Sequence, residues 1–141
     1  MLRVGMQGGS EERLELRGGP EIIRQAREWA TAQARRAGLS GEAIAEIALA
    51  VSEACTNIVR HAYAERPEAR IILTVADDGR WLTLRLRDFG RKFDPAAYRP
   101  PNLDALHEGG YGLFLIQQVM DEVHYITDHD QGTELILRKR K

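Results

Sequence analysis

The sequence SGEAIAEIALAVSEACTNIVRHAY, at residues 40–63, determines how the rest of the chain is interpreted. Apolar residues recur in it every three or four positions, which predicts an amphipathic helix with one face in the core. Ser40 is a suitable N-cap, and Glu42 lies in the first turn, where a negative charge is favourable. We therefore expect a core-facing stripe formed by Ile44, Ile47, Val51, Ala54, Ile58 and Ala62.

The polar face of this predicted helix carries Glu53 and Asn57, one turn apart. At about 100° per residue they are separated by about 40° around the axis, so a carboxylate and a carboxamide project together from a rigid support. His61 continues their line, and a structural hydrogen bond is its expected role. The pair is either an ordinary solvated face or a chemical site, and features further along the chain favour the second interpretation.

The composition is that of an ordinary globular protein. The 141 residues include 20 basic and 21 acidic side chains, a balance that argues against a general nucleic-acid or anionic-membrane surface. No apolar run approaches the ~20 residues that span a bilayer, and the N-terminus lacks the apolar core of a signal peptide. Cys55 is the single cysteine, so no internal disulfide can form. We expect one cytoplasmic domain over residues 1–141, with Cys55 as a small core residue.

The remaining segments predict an α+β fold. Residues 1–10 are glycine-rich and expected to be frayed, and a strand at 12–17 and a helix at 21–37 follow. Two β-hairpins are predicted, one at 70–87 and one at 123–138, each around a short polar turn. A helix at 113–123 precedes the second hairpin. The expected architecture is a two-layer α/β sandwich, in which a mostly antiparallel mixed sheet carries helices on one face.

Two glycine-containing segments are candidate binding loops, and the second is a potential anion site. Asp88-Phe89-Gly90 ends a predicted strand, and the segment GGYG at 109–112 opens a helix, where bare N–H groups meet the positive end of the helix dipole. The lysine of a P-loop is missing. Between the segments, residues 91–109 contain three prolines, and a loop of this length is typical of a functional lid. Arg91 and Lys92 are either solvated lid charges or contacts to phosphate or to an acidic partner.

Together these features resemble the four motifs of the GHKL (Bergerat-fold) ATP-binding domains. The motifs are Glu53-x-x-x-Asn57 on a helix, Asp88-x-Gly90 after a strand, Gly110-x-Gly112 before a helix, and Gly132-Thr133 entering the last strand. In finer detail VSEACTNIVRHAY, RDFGRKFDP and GGYGLFLIQQVMDEV are similar to anti-sigma-factor serine kinases of the RsbW and SpoIIAB type. The resemblance covers nearly the whole chain.

The resemblance implies ATP and Mg²⁺ as ligands. Asn57 would coordinate Mg²⁺ between the ATP phosphates, and Glu53 would accept the proton of an attacking hydroxyl. Asp88 would accept a hydrogen bond from the adenine amino group, and residues 91–109 would form the ATP lid. The other expected ATP-binding residues are Gly90, Gly109, Gly110, Gly112, Leu113 and Thr133.

The implied activity is that of an ATP-dependent protein serine kinase and anti-sigma factor. It would bind a sigma factor and phosphorylate a serine of a STAS-type anti-sigma-factor antagonist, and a homodimer is a further expectation from the relatives. The main alternative is a non-kinase ATP-binding switch that activates a regulatory phosphatase, against which Glu53 argues because a switch needs no base. Two others are a detached histidine-kinase ATPase domain, for which no hairpin with a phosphoacceptor histidine is seen, and a module without nucleotide, which Asn57 and Asp88 oppose.

Overall fold

The computed structural model describes residues 4–6, 9–63, 68–91 and 111–141, with side chains for 10–63, 68–91 and 112–141. From residue 9 onward, the helical and β segments follow one another in the order that the sequence predicts. The elements are β1 (Val4–Met6), β2 (Gly9–Gly18), α1 (Glu21–Arg36), α2 (Gly41–Asn57), a π turn (Ile58–Ala62), β3 (Ala69–Asp77), β4 (Trp81–Asp88), α3 (Tyr111–Val119), β5 (Glu122–Ile126) and β6 (Glu134–Arg140).

The described strands form one sheet in the order β1-β2-β3-β4-β6-β5, and every pairing among them is antiparallel. Residues alternate between a buried face and a more exposed face, so that Ile71, Leu73 and Leu84 lie in the core. The buried apolar residues of α1 and α2, and Ile116 of α3, belong to the same core cluster. The predicted two-layer α+β fold is confirmed.

The N-terminal segment differs from its prediction. In place of a frayed end over residues 1–10, Val4 pairs with Glu11 and Met6 with Gly9 in an antiparallel ladder. The ladder is formed by backbone groups and requires no apolar alternation, which is why the sequence pattern gave no sign of it.

Helix α2 begins as predicted and ends earlier. The Ser40 hydroxyl accepts a hydrogen bond from the Ala43 N–H at 3.1 Å, and Ser40 itself is extended, as an N-cap should be. The sequence predicts one continuous helix to residue 63, and this is wrong after Asn57. The Tyr63 N–H donates to the Ile58 carbonyl at 3.2 Å, a bond across five residues that defines the π turn. Such turns occur frequently at functional sites.

Cys55 lies on the buried face of α2. Burial raises the pKa of its thiol to about 12, so the reactive thiolate is not populated near neutral pH. The expectation that Cys55 is a small core residue is confirmed. Among the described residues, no helix has both the length and the apolarity that a bilayer crossing requires.

At one end of the sheet a buried lysine connects three elements. The Lys139 ammonium on β6 forms an ion pair with Glu46 of α2 at 2.8 Å and donates a hydrogen bond to the Val119 carbonyl at the end of α3. Helix α3 ends there, before the predicted limit of residue 123, because the chain then joins the sheet. The Asp121 N–H donates to the Arg138 carbonyl at 3.0 Å.

Candidate nucleotide site

The opposite end of the sheet brings together two of the predicted motifs. The Asp88 N–H at the end of β4 donates to the Thr133 carbonyl at 2.9 Å. The Asp88 carboxylate accepts a hydrogen bond from the Gly90 N–H at 3.0 Å. Asp88 and Thr133 are only 5% and 4% exposed. The Asp-x-Gly turn and the entrance to the last strand therefore form one buried polar cluster.

The buried position of Asp88 changes its electrostatics. Burial raises the pKa of its carboxyl, and the backbone N–H groups of Gly90 and Thr133, together with the nearby charge of Arg87, oppose that rise in part. A buried carboxylate is costly unless donors surround it. A ligand that brings a further N–H donor to Asp88 would therefore stabilise its charged form.

Two glycines allow this cluster to close. A Cβ added to Gly90 would lie 2.2 Å from the Ala62 carbonyl oxygen, and one added to Gly132 would lie 2.1 Å from the Asp88 carbonyl oxygen. Both obstacles are backbone atoms, so no side chain fits at either position. Gly132 also has a φ of +71°, a conformation that favours glycine. The close approach of the backbone therefore explains why glycine occupies both positions.

Asn57 meets the third motif. A Cβ added to Gly112 would lie 3.1 Å from Nδ2 and 3.2 Å from Oδ1 of Asn57, so the first turn of α3 lies directly against the carboxamide. The N-terminus of this nine-residue helix concentrates positive potential beside Asn57. The Leu113 side chain is buried, so a contact of Leu113 with a ligand would have to come from its backbone.

Glu53 lies one turn before Asn57 on α2 and is half-buried. Within the described part of the chain, no hydrogen bond or ion pair engages its carboxylate. Glu46, two turns earlier on the same helix, is instead paired with Lys139. Glu53 thus keeps its carboxylate available at the end of the helix where Asn57 and Gly112 meet.

The sequence comparisons identify the family. The profile described as "Histidine kinase-like ATPase domain" matches residues 16–139. The chain belongs to this family. Its curated relatives include proteins named "Serine-protein kinase RsbW". The Bacillus cereus protein is 34% identical over 116 residues, covering 75% of this chain and 69% of the relative. The Listeria monocytogenes protein is 32% identical over 134 residues, covering 89% and 84%. The family resemblance predicted from the motifs is confirmed.

Solved structures share the fold of this histidine kinase-like ATPase domain. One contains the RsbU and RsbW domains of Rv1364c from Mycobacterium tuberculosis, with a TM-score of 0.59 at 20% identity. It covers 92% of this chain, which spans about a third (32%) of that protein's chain. Another is the histidine kinase domain of a blue-light-activated histidine kinase from Erythrobacter litoralis, with a TM-score of 0.54 at 20% identity, covering 84% of this chain and 60% of that one. At this identity the likeness shows the fold.

Some of the predicted site lies outside the described residues. This applies to Gly109, Gly110, Lys92 and the lid beyond residue 91. Arg91 is described and exposed, and its N–H donates to the Ala62 carbonyl at 2.8 Å. His61 is exposed, and no hydrogen bond joins it to another described residue. Its predicted structural bond is therefore not seen there, because the π turn interrupts the angular spacing on which that prediction rested.

Sequence reasoning missed Tyr63. Its side chain is 5% exposed. Its hydroxyl donates to the Arg70 carbonyl of β3 at 2.6 Å and accepts from the N–H of Phe89, just after β4, at 2.8 Å. The available signal was chemical, because a buried tyrosine hydroxyl usually finds a hydrogen-bond partner. Helical periodicity gave no such sign, since it placed Tyr63 outside the core stripe.

Proposed function

We propose that this protein is an ATP-dependent protein serine kinase and anti-sigma factor. One observation carries the proposal: Glu53 projects one turn from Asn57, whose carboxamide lies against Gly112 at the N-terminus of α3. A base, a metal ligand and an anion-binding helix end thus meet at one place. The names of the RsbW relatives support serine as the residue phosphorylated.

The adenine end of ATP is assigned to the buried cluster at Asp88. The C6 amino group of adenine is a donor, and the desolvated Asp88 carboxylate gains from one. The Thr133 hydroxyl would support adenine recognition from the adjoining strand. Gly90 and Gly132 keep the backbone close enough to form this pocket. ATP is the substrate, and these contacts orient its base.

The metal assignment follows from the donor type. Mg²⁺ prefers oxygen ligands and usually keeps few protein contacts when it binds phosphates, so the carboxamide oxygen of Asn57 fits the ion. Bound there with ATP, Mg²⁺ would neutralise phosphate charge. Gly109, Gly110 and Gly112, with the Leu113 backbone, would hold the phosphates at the positive end of α3.

Glu53 is the proposed catalytic base. Its carboxylate would accept the proton of the substrate serine hydroxyl as that oxygen attacks the γ-phosphorus of ATP, while the bond from this phosphorus to the bridging oxygen breaks and ADP leaves. Phosphoryl transfer depends mainly on positioning and charge stabilisation, so a base held on a capped helix beside Asn57 meets the requirement. Residues 91–109 are proposed to close over the phosphates and exclude water.

The proposed partners are those implied by the resemblance to anti-sigma-factor serine kinases. The substrate serine would lie on a STAS-type anti-sigma-factor antagonist, and a sigma factor would be held in a competing complex. We place this activity in the cytoplasm, in one domain formed by residues 1–141, with a homodimer as the proposed assembly.

Nucleotide binding is tested by calorimetry with ATP, with and without Mg²⁺. We expect Mg²⁺-dependent binding, and Asn57→Ala should weaken the affinity for Mg²⁺-ATP about tenfold, equivalent to about 1.4 kcal/mol. Gln118→Ala removes an exposed carboxamide from α3 and should change nothing. A pull-down from native cells with ADP or ATP, followed by phosphosite mapping, then tests the kinase. Indifference of the wild type to Mg²⁺-ATP would contradict the nucleotide site, whereas ATP binding without phosphorylation of any retained partner would favour the switch.

A further inference from the structure

Tyr63 reaches the core because of the π turn. On an uninterrupted α-helix it would lie about 160° from Ile47, on the face opposite the core. The bond from the Tyr63 N–H to the Ile58 carbonyl spans five residues, so the turn contains one residue more than an α-turn would. This changes the direction of the phenol, which is 5% exposed. The π turn thus places a hydroxyl group inside the protein, beside the sheet.

That hydroxyl lies at the point where β4 separates from β3. Asp88 is paired with Ile71, so Phe89 and Arg70 would form the next pair of the ladder. The Asp88 N–H points to β6, where it binds the Thr133 carbonyl, and alternation then directs the Phe89 N–H toward β3. Instead of reaching the Arg70 carbonyl, this N–H donates to the Tyr63 hydroxyl at 2.8 Å, and the hydroxyl donates to that carbonyl at 2.6 Å.

The inserted hydroxyl has a consequence for the Asp-x-Gly turn. It satisfies two backbone groups while holding the strands apart, so the chain leaves the sheet at Phe89 without an unpaired donor. The guanidinium groups of Arg70 and Arg87 lie over the Phe89 ring, at 4.3 and 4.2 Å from its centroid. Both contacts restrict the turn that carries Asp88.

A second bond from the same π turn fixes the other side of the turn. The Ala62 carbonyl accepts from the Arg91 N–H at 2.8 Å, with Gly90 in close contact. The π turn follows Asn57 directly. The segment 88–91 is therefore held at two points by the six residues 58–63, which succeed the proposed metal ligand.

We propose that Tyr63 is a positioning residue that sets Asp88 relative to Asn57 and so determines the preference for adenine over guanine. The inference rests on the proposed ATP binding. Adenine presents an amino donor at C6 and guanine presents a carbonyl oxygen, so a well-placed carboxylate discriminates between them, and a displaced one does so less well. Tyr63 acts through the turn and is assigned no contact with the nucleotide.

The test is Tyr63→Phe, with the affinities for Mg²⁺-ATP and Mg²⁺-GTP measured by calorimetry. The variant leaves the Phe89 N–H and the Arg70 carbonyl either unpaired, which loosens the turn that carries Asp88, or bonded to each other, which shifts that turn. We expect ATP affinity to fall about tenfold, equivalent to about 1.4 kcal/mol, and the ATP-to-GTP affinity ratio to fall about fivefold. The ratio is independent of the folded fraction, so a loss of stability alone would not change it.

Thr83→Val is the matched control, because it removes a hydroxyl that accepts from Arg138 Nε at 3.4 Å, on β4 but away from Asp88. It should preserve the ratio. An unchanged ratio in Tyr63→Phe would overturn this inference and leave the proposed function standing, whereas a wild type that binds neither nucleotide would overturn both.

Hydrogen exchange of the nucleotide-free wild type provides a test that needs no variant. The bonds to Tyr63 and Ala62 predict that the Phe89 and Arg91 amides exchange as slowly as the ladder amides of β4. Fast exchange at both amides would also overturn the positioning role.

Discussion

Two turns of the same local sequence type flank strand β4. Asp77-Asp78-Gly79 precedes the strand, and Asp88-Phe89-Gly90 follows it. In each turn the first aspartate accepts a hydrogen bond from the glycine N–H, at 2.8 Å for Gly79 and 3.0 Å for Gly90. Both are local aspartate turns of the ordinary kind. The pattern Asp-x-Gly therefore predicts the turn and does not distinguish a binding site from a simple connection.

The surroundings of the two turns separate them. A Cβ on Gly79 would meet no atom within 4 Å, whereas one on Gly90 would lie 2.2 Å from the Ala62 carbonyl oxygen. Asp77 forms an ion pair with Lys141 at 2.8 Å, and Asp88 is buried against β6. A turn becomes a candidate site when tertiary contacts desolvate its carboxylate.

The largest expected effect concerns two glutamates of α2, Glu53 toward the end of the sheet that carries Asp88 and Glu46 toward the end that carries Asp77. Glu53→Gln keeps the shape of the side chain and removes the proton acceptor. We expect phosphoryl transfer to fall by about 10²–10⁴-fold, the usual contribution of a general base, with ATP binding retained. Glu46→Gln disrupts the ion pair with Lys139 and should leave transfer near the wild-type rate. Phosphoserine on the cognate antagonist is quantified by mass spectrometry. Transfer at the wild-type rate by Glu53→Gln would contradict the base assignment.

Substitutions of Gly90 and Gly79 test the difference between the two turns directly. Gly90→Ala forces a methyl group onto the Ala62 carbonyl oxygen, and we expect a loss of about 3 kcal/mol of unfolding free energy and of measurable ATP binding. Gly79→Ala places alanine at a φ of +91°, which costs about 1–2 kcal/mol and should leave ATP affinity unchanged. Urea unfolding and calorimetry measure the two effects. Equal ATP affinity in both variants would remove the distinction between the turns.

The sequence predicted most of the fold because its signals are local. The Ser40 cap, the apolar stripe of α2 and the two hairpin turns are all encoded within a few residues. The positions of Glu53, Asn57 and Asp88 on their elements follow from the same signals. The motif resemblance then assigned their roles.

The π turn and Tyr63 were not predictable in this way. The change from a four-residue to a five-residue hydrogen bond at Ile58 depends on compensation elsewhere, including the bond between Tyr63 and Phe89, which are 26 positions apart. The spacing of apolar residues before Asn57 does not indicate that contact. The extra residue in the π turn places Tyr63 in the core and moves His61 away from the helix face that carries Glu53 and Asn57.

The smallest expected effect is the pH dependence of the free energy of unfolding, which has opposite signs at Asp88 and at Asp78. Burial raises the pKa of Asp88, so the folded protein binds its proton more tightly than the unfolded chain does. The free energy of unfolding therefore falls as pH rises from the ordinary value of 3.8 through the raised pKa. Backbone hydrogen bonds from Trp81 and Arg80 lower the pKa of Asp78. The stability that the charged Asp78 carboxylate contributes is present above pH 3.8 and is lost as pH falls through the lowered pKa.

Asp88→Asn and Asp78→Asn should therefore change stability in opposite directions. At pH 7 we expect Asp88→Asn to raise Tm by about 2–4 °C, because it removes a buried charge, and to weaken the preference for ATP over GTP. Asp78→Asn should lower Tm slightly at pH 7 and leave nucleotide preference intact. Thermal unfolding between pH 3 and pH 7 measures both, and each difference from the wild type should shrink toward the acid end, as the carboxyl groups become protonated. If Asp88→Asn lowered Tm at pH 7, the bonds from Gly90 and Thr133 would outweigh desolvation, and Asp88 would be a structural turn residue like Asp78.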